Sequence, residues 1–372
     1  MSANSAFRIA VLPGDGIGIE AMEPTLAVLD AVTRRVGGIS LSFETHRAGA
    51  WCYRDTGEAL PASTMAAARA ADAILLGAMG WPEIRYADGT EIAPQLDLRF
   101  ELELYAGVRP VRTIPALAPV LADPRARALD FVLIRESTEG LFVSRGKGVV
   151  VEDREARDTL LITRAVSERV FDFGFRLARQ RAQTRRTVQA PSVTCVDKAN
   201  VFTSFAFFRK VFDERAKAFP DIVARHAYVD AMALYMVQKP WTLDVLVTEN
   251  MFGDILSDLG AGLMGGLGFA PSADIGDRHA IFQPCHGTAP DIAGKGTANP
   301  VACMLSGAMM LEWLGDRHGR SEGATGAATI RSAIDAAFAA GLRSVELGGR
   351  DGTRAITDAV LAQIATVQPV DR

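Results

Sequence analysis

Residues 243–269 read LDVLVTENMFGDILSDLGAGLMGGLGF. Leu243 to Glu249 is an apolar run that predicts a buried strand, and from about Phe252 the spacing becomes that of a helix. Asp254 and Asp258 stand four apart, so both carboxylates share one helical face. They lie in the first turns, where the positive end of the helix tolerates them. Ile255, Leu256 and Leu259 are expected on the packed face. Alone, such a pair reads as a solvated helix surface. Here a glycine cluster follows (Gly260, Gly262, Gly265, Gly266, Gly268), and then residues 283–300, QPCHGTAPDIAGKGTANP. Glycines that bare the backbone ahead of a mixed polar loop suit a bound nucleotide.

Outward from this stretch, strands and helices alternate, which indicates an α/β fold with strands buried on both faces. Strands are expected at Phe7–Leu12, Leu41–Glu44, Ala73–Gly77, Phe131–Ile134 and Val223–Ala227, with a further strand carrying Arg109. Helices are expected at about 19–36, 59–70, 99–105, 164–181, 302–314, 327–341 and 355–367. In the helix at 164–181, Val166, Val170, Phe171, Leu177 and Ala178 should face inward. Residues 86–98 read as a loop leading into a helix, 187–196 as extended, Tyr228-Val229-Asp230 as a helix start, and 321–328 as a loop of small residues. Residues 140–158 alternate Val with Gly and charge and predict a β-hairpin arm. Asn299-Pro300 predicts a helix start with Asn as cap and Pro in the first turn. The turn GDGIG (Gly14–Gly18) is spaced G-x-G-x-G, not G-x-G-x-x-G, so a Rossmann dinucleotide site is not indicated.

The 372 residues suffice for two domains, and 49% hydrophobic with 23% charged residues is ordinary for a soluble globular protein. A net charge of −4 argues against nucleic-acid binding through overall charge. Cys52, Cys195, Cys285 and Cys303 are far apart, with no zinc or redox spacing, and read as reduced thiols of a cytoplasmic protein. No signal-peptide pattern and no apolar run of about 18 residues is seen, so no membrane partner is expected.

TENMFGDILSD (248–258) and HGTAPDIAGKGTANP (286–300) resemble the metal and cofactor motifs of the β-decarboxylating dehydrogenases. That family comprises the isocitrate, 3-isopropylmalate, homoisocitrate and D-malate/tartrate dehydrogenases, and the similarity runs over nearly the whole chain. The resemblance implies an isopropylmalate dehydrogenase-like two-domain fold with a central cleft. Residues 1–104 with 265–372 would form a discontinuous domain carrying most of the cofactor site. Residues 105–264 would carry substrate, metal and dimer contacts and the arm. It also implies oxidation of a malate-type 2-hydroxy acid at C2 and loss of its C3 carboxylate. LDLRFELELYAGVRP (96–110) and IRESTEGLF (134–142) resemble the segments that supply three arginines, here Arg99, Arg109 and Arg135, to substrate carboxylates; guanidinium forks suit that task.

Further implications concern the remaining chemistry. Asp230, Asp254 and Asp258 would hold Mg²⁺ or Mn²⁺, an oxygen-only set for a hard ion, with Asp230 coming from a second subunit of a homodimer. Lys198, also from that subunit, would take the hydroxyl proton, and Asn200 would face the nicotinamide. His286, Gly287, Thr288, Ala289, Pro290, Asp291, Ile292 and Asn299 would bind the cofactor. A carboxylate at Asp291 favours the ribose hydroxyls of NAD over a 2′-phosphate. Two departures stand out. Phe142 replaces the family's proton-donating tyrosine. Gln95, beside Leu96, places an amide where isopropylmalate enzymes present an apolar side chain, which predicts a weak or reversed preference for isopropylmalate over D-malate. The rival reading is a non-catalytic regulatory subunit of a hetero-oligomer, supported by Phe142 alone.

Overall fold

Runs of Val, Ile, Leu and Ala, bounded by turns and alternating with amphipathic segments, become strands covered on both faces. The computed structural model describes residues 6–184 and 190–366. Its strands are β1 (Phe7–Gly14), β2 (Leu41–Thr45), β3 (Ala73–Ala78), β4 (Ala106–Arg112), β5 (Asp130–Glu136), β6 (Val149–Val151), β7 (Glu155–Arg157), β8 (Ser192–Asp197), β9 (Val223–Tyr228), β10 (Val245–Thr248), β11 (Pro271–Ile275) and β12 (Ala280–Pro284). Ten of them form one sheet, ordered β2-β1-β3-β12-β11-β4-β5-β10-β8-β9, while β6 pairs with β7 apart from it. Pairing is parallel on both flanks. It is antiparallel at the centre, where β4 meets β5 and β11, and β11 meets β12. That centre and the strand order set the mixed α/β sheet apart from a doubly wound Rossmann sheet.

The helices are α1 (Ile17–Val36), α2 (Ala50–Thr56), α3 (Ala62–Ala70), α4 (Pro94–Glu101), α5 (Arg164–Thr184), α6 (Thr203–Ala216), α7 (Val229–Gln238), α8 (Asn250–Met264), α9 (Val301–His318), α10 (Ser321–Ala339) and α11 (Thr353–Thr366). Along α5, Val170, Phe171 and Ala178 are buried and Val166 and Leu177 pack partly against the core. Phe175 of α5 stacks on Phe212 of α6 at 5.3 Å. At the GDGIG turn, Gly14 has φ +76°, and a Cβ there would lie 1.9 Å from the Ala78 carbonyl oxygen. The buried Asp15 carboxylate accepts from the backbone amides of Ala50, Trp51 and Gly80 at 2.7–2.9 Å. The turn is thereby clamped to two neighbouring loops.

Several expectations are corrected. The helix carrying Arg99 spans Pro94–Glu101, not 99–105, because Pro94 supplies a ready first-turn residue. The arm holds only the short β6–β7 ladder, preceded by a 3₁₀ turn at Leu141–Ser144. Residues 321–328 are the first turns of α10, not a loop. The helix α3 starts at Ala62, after Pro61. In α8, Ile255 is 63% exposed, while Leu256 is buried and Leu259 half-buried. Helices α2 and α6 and strands β11 and β12 were not anticipated. Residues 187–189 and Val367 lie outside the described residues.

Candidate active site

The motif Thr248–Asp254 fastens α8 to β5 through its own side chains. Thr248 ends β10 with its hydroxyl donating to the Val196 carbonyl at 2.8 Å. Glu249 caps α8, accepting from the Phe252 amide at 3.3 Å. Asn250 donates from Nδ2 to the Glu139 carbonyl and accepts at Oδ1 from Arg135 Nε, both at 2.8 Å. Gly253 lies so close to β5 that a Cβ would sit 2.6 Å from Cβ of Arg135. Asp254 then pairs with Arg135 Nη1. The acidic motif and the arginine strand are one unit.

This unit forms a wall of a pocket of about 160 Å³. Gln95 and Arg99 reach it from α4, Arg109 from β4, Arg135 from β5, and Asp254 and Asp258 from α8. His286 and Gly287 close it from the loop after β12. All three arginines are buried. Burial and the neighbouring Arg99 and Arg109 lower the pKa of Arg135 to about 10, against the pull of Asp254. Burial, together with Asp254 alongside, raises that of Asp258. Two adjoining carboxylates on one face of α8 form an oxygen pair that suits a hard divalent cation. Gln95 Oε1 is buried without a hydrogen-bond partner. The Arg135 guanidinium carbon lies 4.9 Å from the ring centre of Phe142.

Other expected residues fall elsewhere. Lys198 and Asp230 do not line this pocket; they pair with each other, the Asp230 side chain being 66% exposed. Among the described residues no group of three potential metal ligands forms within the chain. Asn200 is exposed, and Leu96 is half-buried in α4 without lining the pocket.

The loop after β12 is braced from several sides. The Thr288 carbonyl accepts from the Ile17 amide at 3.0 Å, joining the loop to the GDGIG turn. Glu20 accepts from the amides of Gly294 and Ala298, each at 3.1 Å. His286 donates Nδ1–H to the Gly287 carbonyl at 2.9 Å. Burial lowers its pKa, so Nε2 is a neutral acceptor, buried and without a partner. Gly287 leaves open space where a Cβ would stand. Ala289 adopts φ 39°. Pro290 and Asp291 are exposed, and Ile292 is half-buried. An orphaned acceptor and bare backbone are features a nucleotide would use. Asn299 is already engaged at both ends: Oδ1 accepts from the Val301 amide and Nδ2 donates to Glu346, each at 3.2 Å. The cap position of α9 is Pro300, one residue later than expected, and Asn299 precedes it while accepting from the first helical amide.

Sequence reasoning missed Asp274. Wholly buried on β11, it accepts from Arg99 Nε at 3.0 Å, Arg109 Nη2 at 3.3 Å, Gln283 Nε2 at 2.8 Å and the Ser137 hydroxyl at 3.3 Å. The only available signal was a carboxylate inside the apolar run FAPSADI.

A family model described as isocitrate/isopropylmalate dehydrogenase matches residues 8–360. A 3-isopropylmalate/3-methylmalate dehydrogenase of Methanocaldococcus jannaschii is 39% identical over 360 residues, 96% of this chain and 98% of that protein. A 3-isopropylmalate dehydrogenase of Anaeromyxobacter dehalogenans is 41% identical over 367 residues, 96% and 99% of the two chains. Among solved structures, an isocitrate dehydrogenase from Methylococcus capsulatus superposes with a TM-score of 0.83 at 34% identity, covering 96% of this chain and 99% of that one. A β-decarboxylating dehydrogenase from Thermococcus kodakarensis gives 0.78 at 35%, covering 96% of each. The chain therefore belongs to the isocitrate/isopropylmalate dehydrogenase family and is a decarboxylating oxidoreductase acting on a CH–OH group.

Proposed function

We propose that the protein oxidises and decarboxylates a malate-type 2-hydroxy acid with NAD⁺ and Mg²⁺ or Mn²⁺, as a cytoplasmic homodimer with shared sites. The observation that carries this reading is the convergence of Arg99, Arg109 and Arg135 with Asp254 and Asp258 on one pocket. The arginines bind and orient the substrate carboxylates through forked hydrogen bonds. When bound, NAD⁺ supplies the hydride acceptor, and a divalent ion between Asp254, Asp258 and Asp230 of the partner subunit supplies the Lewis acid. Lys198 of the partner subunit takes the C2 hydroxyl proton. Phe142 offers no proton, so C3 is reprotonated from that lysine or from water. Retention of the lysine, the three arginines and the three aspartates speaks against a regulatory subunit.

In the same reading residues 1–104 and 265–372 form one domain and 105–264 the other. This division is supported by the return of β11 and β12 to lie beside β3. Asp291, exposed on the cofactor loop, favours NAD over NADP. The orphaned Gln95 oxygen disfavours an isopropyl group, since burying an unpaired amide costs roughly 1–3 kcal/mol. The test is a panel of D-malate, tartrate, 3-isopropylmalate and isocitrate with NAD⁺ and Mn²⁺, scored for NADH and CO₂ together. D-malate or tartrate should be used at least as well as isopropylmalate, and Gln95→Leu should shift kcat/KM toward isopropylmalate. An isopropylmalate preference of about a thousandfold, ~4 kcal/mol, overturns the substrate reading. Absence of NADH with every acid overturns the activity.

A further inference from the structure

A carboxylate buried behind three substrate-facing arginines is an unexpected use of charge. The cluster holds three guanidinium groups, from Arg99, Arg109 and Arg135, and Asp254 and Asp258 are assigned to a divalent ion. Asp274 is a further negative charge, fully buried and not part of the pocket wall. It takes the Nε–H of Arg99 and one Nη2–H of Arg109. Arg109 Nη1 is spent on the carbonyls of Val108 and Ala273, at 3.3 and 3.2 Å. Arg135 gives Nε–H to Asn250 and Nη1–H to Asp254, which leaves its Nη2. The terminal nitrogens of Arg99 and Nη2 of Arg135 therefore remain for a ligand, along with what is left of Arg109. Gln283 Nε2 and the Ser137 hydroxyl, both donating to Asp274, hold its carboxylate in place.

Ionisation of Asp274 follows from its surroundings. Burial opposes its charge, yet Arg99, Arg109 and Arg135 together hold its pKa below the usual carboxylate range. With Asp254 and Asp258 offset by a bound divalent ion, three cationic groups less one buried anion leave a formal excess of two.

We propose that Asp274 is a positioning and specificity-determining residue that sets how many carboxylates the pocket accepts. By sharing Arg99 and Arg109 it leaves cationic capacity for a dianionic 2-hydroxy acid and penalises a trianionic one. This rests on the reading of the pocket as the carboxylate site.

The test compares the full-length protein with Asp274→Asn, which keeps the shape and removes the charge. One arm measures kcat/KM for D-malate and isocitrate with NAD⁺ and Mn²⁺. The other measures Kd of glutarate and tricarballylate by titration calorimetry at saturating Mg²⁺, which offsets Asp254 and Asp258. Loss of the charge should move both ratios toward the tricarboxylate by on the order of tenfold to a hundredfold, the scale of one unit charge several ångströms away at an effective dielectric of about 20. A merely structural role would weaken both anions by the same factor, and that result, or unchanged ratios, overturns the proposal. A variant that fails to fold is covered by the unmutated protein. There, the third carboxylate should add less than about threefold to affinity, and a gain of tenfold or more (~1.4 kcal/mol) overturns the proposal. If D-malate is turned over but the ratios do not move, only the role of Asp274 falls. If neither anion binds and no hydroxy acid is oxidised, the carboxylate site falls with it.

Discussion

Phe142 places an apolar ring against Arg135, with 4.9 Å between guanidinium carbon and ring centre. It can support the arginine by a cation–π contact but cannot donate a proton. Phe142→Tyr is expected to speed protonation at C3 after CO₂ has left, roughly tenfold or more, since positioned general acids contribute about 10²–10⁴. The single-turnover rate of 2-oxo acid formation, followed after the NADH burst, checks this; an unchanged rate means the proton already has an adequate source. Asp291 is exposed where an adenosine ribose would lie in the proposed cofactor site. NAD⁺ should be preferred to NADP⁺ by about a hundredfold in kcat/KM, ~2.7 kcal/mol, and equal values remove Asp291 as the selector. Arg99, Arg109, Arg135, Asp254 and Asp258 could be read from the sequence because each sits in a contiguous motif. Asp274 could not, because its partners lie 9 to 175 positions away and meet it only once the sheet has formed.

At the scale of elements, the union of α8 with β5 depends on a missing side chain. Gly253→Ala would press a methyl onto Arg135, which should cost about 1–3 kcal/mol as overpacking. Thermal unfolding reads the loss, and an unchanged Tm shows that the helix can give way. The end of β5 also carries Glu136, whose pKa burial raises to about 7 despite hydrogen bonds from Thr138 and Glu139. A folded pKa above the unfolded value near 4.5 means stability present at low pH and lost as pH rises through about 7. Glu136→Gln should therefore flatten the stability curve between those values, removing a slope of up to about 1.4 kcal/mol per pH unit. Equal slopes for both proteins in denaturant titrations would discount the burial. Elements with strong periodicity, such as α1 and α5, were legible to within a few residues. The start of α10 was not, because Gly323 and Gly326, with Ser321 and Thr325, offset the alanines of SEGATGAA. Its small residues serve packing instead: a Cβ on Gly323 would lie 2.3 Å from the Leu311 carbonyl oxygen and 2.7 Å from Cα of Gly315, so α9 and α10 touch backbone to backbone.

At the scale of the whole molecule, Val149 and Val150 of the arm, Leu234 and Val237 of α7 and Ile255 of α8 expose 46–69% of their surface. Exposed apolar residues on the arm and on the adjoining helices α7 and α8 suit an interface between copies, in keeping with the placement of Lys198 and Asp230 outside the pocket. Lys198→Met and Arg109→Met, each inactive alone, should recover ~25% of activity when their subunits are exchanged at equal amounts, since a two-fold dimer mixes statistically and each hybrid keeps one intact site. No recovery after demonstrated exchange refutes the shared site. The sheet itself bears on how the chain is made. β11 and β12 fill the space between β3 and β4, yet they leave the ribosome about 160 residues after β4, a delay on the order of 10–30 seconds at ~5–20 residues per second. Throughout that interval β3 and β4 each carry one bare edge, the kind of surface on which nascent chains stick to one another. A chain released before residue 271 can never cover them, so premature termination should yield aggregates or chaperone-bound fragments, not a stable half-protein.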